Sequence, residues 1–583
     1  MKVNMSKTKP VYKLKEINQE QESIVKELID NGLDDSLAML YALRGIKEYS
    51  DIARTENLIS FGLLKDIGKA VGALRECILK NKRVCIVADY DVDGATACSI
   101  GLLGFKMLGM NITYVVPDRF RDGYGLTPGV VDQAISRANP DVIVTVDNGV
   151  ASIDGISYAN SKKIPVIVTD HHLQGDILPD AFCIVNPNRN DCTFPSKALA
   201  GCGVIFYVVC ALKEFMIMKG DFTRQNAPNV NSLLDLVAIG TVSDLVKLDK
   251  NNRLLVDAGL RMIRNGQTRP GILALIEVAG AKYEDLTTMD IGFKIGPRLN
   301  AAGRLEDMSI GINCLIEEDY EKAKEYAKRL DEINVSRKEI EKEMKEQALS
   351  MPNLSNDGNT CVAYGEDFHE GVIGIVASRL KEMFFRPSIV FAEAETEDKN
   401  DGSPKEEHLK GSGRSIPDIH LRDALDYVHK KDLGIMVKFG GHSMAAGLTI
   451  HKSKYDDFCR LFEEAVIHFA EGKKFENVKM IDMDLPSEDI SLEMAFKLSK
   501  EVWGQGFLPP LFVSEFNIID QKLLKEQHLK MRVEKNGVEV DAIWFFQPET
   551  LDTTKKVKLV YTLSINSFRG QDNVQLLVDG IME

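Results

Sequence analysis

The chain has 583 residues, 44% apolar and 27% charged, which is too long for one hydrophobic core and ordinary in composition for a globular protein. No uninterrupted apolar run reaches the roughly 18 residues of a membrane span, and ten cysteines without a CxxC pair argue against a zinc ribbon or a disulfide framework and suit a reducing cytoplasm. The net charge of −15 is the wrong sign for holding nucleic acid by bulk charge, so such binding requires a local basic groove.

Residues 1–50 read as helical, with Asp34 or Asp35 capping the segment Ser36–Leu43, and Ile67–Asn81 reads as a helix leading into the first strand. The opening MKVNMSKTKP has no apolar segment behind it and is not expected to be a secretory signal. Val84–Ala88 is a continuous apolar run, the pattern of a strand covered on both faces of a parallel sheet, and it leads straight into Asp89, Asp91, Asp93 and Gly94. Such a turn is either a solvated acidic loop or, folded back on itself, an oxygen cage for a hard ion such as Mg²⁺ or Mn²⁺. Ala95–Leu108 follows as a helix and Ile112–Val116 as a strand. The loop PDRFRDGYGLT (117–127) then sets Arg119 and Arg121 among glycines, suited to a phosphate or simply solvated.

The same strand ending recurs. DVIVTVDNG (141–149) ends on Asp147, and IPVIVTDHH (164–172) ends on Asp170, His171 and His172. Ligands of open parallel sheets bind outside the carboxyl ends of the strands, so these endings predict one polynuclear metal site. Phe182–Val185 and the loop NPNRND come next, then Ala200–Ala211, a glycine-opened helix. The most apolar stretch, Val204–Met218, is interrupted by Lys213 and Glu214 and reads as a buried helix. Ser232–Leu248 reads as a helix carrying Asp244 in apolar surroundings, either a fourth metal-site acid or a helix cap. GFKIGPRLNAAGRLE (292–306) is expected to be a glycine-rich loop presenting Arg298, Asn300 and Arg304 to a phosphodiester.

Glu317–Ser350 is polar and helix-favouring, a rigid connector about 50 Å long at 1.5 Å per residue. A second α/β domain follows, with strands at Thr360–Tyr364 and Pro387–Ala392 around a glycine-opened helix at 371–380. Residues 393–410 read as a polar, mobile insertion. Two donor-rich loops are expected next: GSGRS (411–415), with Ser412 and Arg414, and GGHSMAAG (440–447), with His442. Beyond about residue 475 the period becomes two, with Asn536-Gly537 as a hairpin turn, which fits a small barrel of the oligonucleotide-binding type. Phe545, Phe546, Tyr561 and Phe568 are candidates either for stacking on bases or for barrel core.

DYDVDGATA (89–97), TVDNGV (145–150), DHH (170–172), GTVSD (240–244), GPRLNAAGR (296–304), GVIGIVASR (371–379) and GGHSMAAG (440–447), in this order, closely resemble the RecJ-type single-strand-specific DNA exonucleases of the DHH phosphoesterase superfamily. The resemblance runs from about residue 50 to 470, and with the residue patterns it predicts five regions: an N-terminal helical segment (1–50), an α/β parallel-sheet DHH domain (51–315), a connecting helix (316–350), a smaller DHH-associated α/β domain (351–472) and the barrel (473–583). It implies 5′→3′ hydrolysis of single-stranded DNA to mononucleotides with two Mn²⁺ or Mg²⁺ ions, in recombination and repair. It implies that Asp91, Asp93, Asp147, His171 and Asp244 ligate metal, with Asp89, Asp170 and His172 adjoining them as catalytic residues. Arg298, Asn300, Arg304 and His442 match substrate contacts of the family, and Arg119, Ser412 and Arg414 match its 5′-phosphate contacts. Single-stranded DNA is the implied partner, with a single-strand-binding protein and a helicase besides, in the cytoplasm and without a membrane. A phosphodiesterase of short oligonucleotides or cyclic dinucleotides, and a non-enzymatic single-strand-binding component of repair or replication, stay open as alternatives.

Overall fold

The acid-bearing strands form one five-stranded, wholly parallel sheet. The structure, a computed structural model, describes residues 8–52, 58–351, 354, 358–394 and 407–582. The chain divides into two compact units, Leu14–Ile333 with Ile481–Glu583, and the residues up to Lys13 with Asn334–Met480.

The N-terminal region holds strand β1 (Val11–Leu14) and helices α1 (Gln19–Asp30) and α2 (Asp35–Ala42), so the expectation of an all-helical start misses one strand. Helix α3 (Ile67–Leu79) then leads into the sheet, which alternates strand and helix: β2 (Arg83–Ala88), α4 (Val92–Met107), β3 (Asn111–Val115), α5 (Pro128–Ala138), β4 (Val142–Val146), α6 (Ile153–Ser161), β5 (Val166–Thr169), β6 (Cys183–Val185) and α7 (Gly201–Met218). The strand order is β3-β2-β4-β5-β6. The chain therefore reverses direction across the sheet between β2 and β4, and in doubly wound sheets the ligand crevice opens at that reversal. The strands are apolar throughout because both faces are covered; β2 from Val84 onward, β4 and β5 are buried along their length.

Helix α7 is long and apolar enough by composition to cross a membrane, but here it packs inside the domain against α3, α4 and α8 (Leu234–Ser243). Helices α9 (Lys250–Arg264) and α10 (Pro270–Val278), the single turn α11 (Thr288–Asp290), α12 (Gly296–Leu305) and α13 (Ser309–Ile316) complete this region. The glycine-rich segment 292–306, expected as a loop, is helical through Leu305: a π-helical turn, Ile291–Ile295, runs directly into α12. Pro297, just past the junction of the two, has no N–H to give the helical ladder, and the wider π turn directly precedes it. The polar stretch after it is the 30-residue helix α14 (Tyr320–Leu349).

The second unit contains β7 (Cys361–Tyr364), α15 (Ile373–Phe384), β8 (Ser388–Glu393), β9 (His408–Arg414), α16 (Leu421–Lys431), β10 (Met436–Gly441), β11 (Ala445–His451) and α17 (Tyr455–Ala470), in a mixed sheet of order β10-β11-β9-β8-β7. Both expected donor-rich loops are mostly strand. Ser412 and Arg414 lie on β9, and His442 stands in the tight turn between β10 and β11. Of the insertion at 393–410, residues 395–406 lie outside the described residues, and its ends belong to β8 and β9.

Strands β12 (Val478–Ile481) and β13 (Met483–Asp484) and helix α18 (Leu492–Lys500) precede β14 (Phe512–Leu524), β15 (His528–Lys535), β16 (Val538–Trp544), β17 (Val557–Phe568) and β18 (Gln571–Ile581). The last five close into a barrel, because β14 pairs with β17 as well as β15. Leu529, Met531 and Val533 point into its core, and Asn536-Gly537 is the β15–β16 turn, with both residues at positive φ. The barrel core is continuous with that of the parallel-sheet domain. Trp503 and Phe507 stack at 5.4 Å, capped by Arg44 at 4.9 Å and Arg253 at 4.3 Å, and fasten the C-terminal region to α2 and α9. Tyr561 is fully buried in the barrel and cannot stack on a base, whereas Phe545, Phe546 and Phe568 are exposed.

Candidate metal centre

Eight side chains converge at the β2/β4 reversal. Asp89 follows β2 directly, and Asp91 caps α4 by accepting the Gly94 N–H at 2.9 Å. This starts the helix three residues before Ala95 and places Asp93 in its first turn. Asp93 is fully buried, and its two oxygens accept the N–H groups of Gly201 (2.6 Å) and Cys202 (2.9 Å) at the start of α7. A helix N-terminus is a natural seat for a carboxylate. Asp147 follows β4 at φ +61°, uncommon for a residue with a Cβ, and its Oδ1 is buried without a hydrogen-bond partner. Asp244 is the C-cap of α8 and is followed by Leu245 at φ +59°.

The ligand atoms form three groups, each with all its atoms within 4.8 Å of one another: Asp93, His171 and Asp244; Asp89, Asp91 and Asp147; and Asp147, His171 and His172. Asp147 is common to the last two. His171 Nε2 lies 3.1 Å from Asp147, 3.6 Å from Asp244 and 3.8 Å from Asp93, so one imidazole faces three carboxylates.

Asp170 plays a different part. It accepts the backbone N–H groups of Val150, His171 and His172 and the Nδ1 of His172 at 2.8 Å. Asn186 and Asn188, in the loop after β6, donate to the carbonyls of His172 (2.9 Å) and His171 (2.5 Å). Tyr124 Oη lies 3.2 Å from His172 Nε2. None of these three residues stood out in the sequence. The only hint was their position in loops at the same sheet edge.

Electrostatics separate the two roles. Burial, and then the neighbouring charge of Asp91, pushes Asp89 up to about 8. Burial raises Asp93, and burial with the Asp93 charge lifts Asp147 and Asp244 well above the carboxylate range. Burial lowers the His171 imidazole. Asp170 moves the other way: burial opposes ionisation, but the His172 hydrogen bond and charge outweigh it and hold the carboxyl low. The same pair carries His172 up to about 9 against the burial that would lower it. One set of acids therefore lacks a counter-charge, and the other already has one. A carboxylate-dominated set with one imidazole, an unpartnered buried oxygen and mutual repulsion fits hard divalent cations.

Around this centre, Asn300 Oδ1 accepts the Val92 N–H at 3.3 Å, which ties α12 to the acidic turn. Arg119 stacks on Tyr90 at 4.3 Å, with its Nε buried and unpartnered. Arg298 pairs with Asp331 (2.9 Å) and donates to the Lys294 carbonyl (2.7 Å). Arg304 lies in the last turn of α12. Within the other unit, Arg414 Nη1 donates to Ser412 Oγ (3.1 Å), and Ala445, at the end of the His442 turn, pairs with Arg414 across β9 and β11. Arg414 and the His442 turn thus lie at the same end of this sheet.

The DHH family N-terminal domain matches residues 83–241, the DHHA1 domain 357–467 and the RecJ OB domain 481–580. The single-stranded-DNA-specific exonuclease RecJ of Salmonella typhimurium is 44% identical over 565 residues, 94% of this chain and 95% of its own length. The chain belongs to the RecJ family. RecJ of Escherichia coli is also 44% identical, over 561 residues. Among solved structures, RecJ of Thermus thermophilus in complex with Mn²⁺ superposes with a TM-score of 0.81 at 24% identity, covering 98% of this chain and 79% of that one. An exonuclease RecJ bound to manganese superposes at 0.57 with 28% identity, over 72% of this chain and 97% of its own. The parallel-sheet domain, the DHHA1 domain and the closed barrel are thus the RecJ architecture.

Proposed function

We propose that this chain is a metal-dependent exonuclease that hydrolyses single-stranded DNA in the 5′→3′ direction, releasing mononucleotides, in DNA recombination and repair. The observation that carries this reading is Asp147, a buried carboxylate that belongs both to the acid group Asp89, Asp91 and Asp147 and to the imidazole group with His171 and His172. Membership of the RecJ family and relatives named as single-stranded-DNA-specific exonucleases support it.

Asp91, Asp93, Asp147, His171 and Asp244 are the proposed ligands of two Mn²⁺ or Mg²⁺ ions, and Asp147 and His171 each belong to two of the three ligand groups. Such a pair supplies an activated water and positive charge against the developing charge on the phosphoryl oxygens. The protein supplies the rest. Gly201 and Cys202 fix Asp93, and Asp170 fixes the orientation of His172. Asp89, close to Asp91 and Asp147, adds to the negative charge that selects a divalent ion. Asn300 orders the acidic turn. Arg119, Arg298, Asn300, Arg304, Ser412, Arg414 and His442 are the proposed substrate contacts, cationic or hydrogen-bonding groups suited to a phosphodiester. A cytoplasmic site of action, with a single-strand-binding protein and a helicase as further partners, completes the proposal.

The test is digestion of a single strand blocked at one end or the other, with Mn²⁺ and with chelator. Loss of activity on blocking the 5′ end alone, and on chelation, is the expected result. Digestion of 5′-blocked strands, or activity in chelator, contradicts it.

A further inference from the structure

Two stretches of chain on which the acid cluster depends are tied to each other by the side chains of Asn252 and Asp249, both outside the cluster. The first is the loop 244–249, which leaves Asp244 through Leu245 at φ +59°, a conformation a leucine keeps only where its surroundings impose it. The second is the segment 196–202. It ends in the N–H groups that hold Asp93, and it brings Gly201 so close to Asp147 that a Cβ there would lie 2.6 Å from Oδ1. Asn252, fully buried in the first turn of α9, spans the gap: its Nδ2 donates to the Ala198 carbonyl at 2.8 Å and to the Lys247 carbonyl at 2.9 Å. Asp249 reinforces the junction by accepting the Asn252 N–H at 3.0 Å and the Ser196 hydroxyl at 2.6 Å. The side chain must donate twice from one nitrogen at short reach. Asparagine does so, while aspartate and alanine cannot.

We propose that Asn252 is a positioning residue of the metal centre, locking the Asp244 loop to the start of α7 so that Asp244 and Asp93 keep one fixed separation. The proposal rests on reading the acid cluster as a metal site. Its neighbour Asn251 supplies the contrast. Asn251 is also buried, yet it accepts from Tyr207 Oη in the second turn of α7 at 2.8 Å and from the Ile59 N–H at 3.2 Å, contacts with neither the segment 196–202 nor the loop 244–249. Hydrogen bonds made directly to ligating side chains set metal affinity by about 10–100-fold, and Asn252 acts on the two backbone segments that carry such contacts.

The experiment is calorimetric titration of Mn²⁺ into the chelator-stripped full-length protein, with thermal melts alongside. Asn252→Ala and Asn252→Asp are expected to melt cooperatively, bind single-stranded DNA in chelator like the wild type, and bind Mn²⁺ about 10–100-fold more weakly. Asn251→Ala is expected to lose thermal stability and keep wild-type Mn²⁺ affinity. Unchanged Mn²⁺ affinity in both Asn252 variants, an equal loss in Asn251→Ala, or failure of both Asn252 variants to fold overturns the proposal. Absence of Mn²⁺ binding in the wild type overturns the metal-centre reading, and this proposal with it.

Discussion

Asp147 Oδ1 lies 3.1 Å from His171 Nε2, yet it makes no hydrogen bond within the protein. A buried carboxylate oxygen in that state is costly unless a cation accepts it. Asp147→Asn should therefore lower turnover by about 10³-fold, since metal-borne stabilisation of the transition state is worth several kcal/mol and each 1.36 kcal/mol is tenfold. It should not lower the melting temperature in chelator, because burial and the neighbouring acids already favour the neutral form of this carboxyl, which the amide mimics. In the wild type, Mn²⁺ at about 100 times its Kd should add about 2.7 kcal/mol of stability. The same Mn²⁺ addition should do much less for Asp147→Asn. Parallel melts and single-turnover rates check both expectations.

Asp170 is predicted to act through His172. Asp170→Asn keeps the side chain's shape and one oxygen for the His171 and His172 N–H groups, sets an NH2 against the Val150 N–H and removes the charge that holds His172 in place. A loss of about 10–100-fold in rate is expected, smaller than for Asp147. The ordering of the two variants in a rate assay is the check.

Gly303 is held against the acidic turn: a Cβ there would stand 1.8 Å from the Tyr90 carbonyl oxygen, a backbone atom with no room to yield. Gly303→Ala should push α12 off the turn, break the Asn300–Val92 contact and cost about 1–3 kcal/mol. Chemical denaturation, together with a rate assay at saturating Mn²⁺, measures the two effects.

That glycine also explains where the sequence was legible and where it was not. The metal-site acids were readable because each interrupts or ends an apolar segment, and nothing in a core satisfies a carboxylate there. The segment 292–306 looked like a loop because its glycines suggest backbone freedom. In the fold, Gly303 serves close packing inside a helix, a use that no local pattern distinguishes. Strand β9 was hidden for the same reason: a Cβ at Gly411 would meet the Phe391 ring at 2.5 Å, so the position needs a glycine although strands disfavour it. The support given by Asn186, Asn188 and Tyr124 depends on which loops meet at the sheet edge, which only the assembled fold supplies.

Phe546 stands 76% exposed at φ +59°, with its N–H held by the His528 ring at 3.0 Å. An exposed aromatic kept in so strained a backbone suits stacking on an unpaired base, worth about 1–3 kcal/mol. Phe546→Gly should weaken binding to a long single strand by that amount without lowering the melting temperature, and should leave cleavage of a trinucleotide unchanged. Fluorescence anisotropy with strands of both lengths is the measurement.

The most direct test of the central claim is single-turnover digestion of 5′-phosphorylated single-stranded DNA by the wild type and Asp147→Ala, each with Mn²⁺ and with chelator. Mononucleotide release by the wild type with Mn²⁺ alone, and none in the other three arms, is the predicted result. Wild-type rates from Asp147→Ala, or equal rates in chelator, would contradict it.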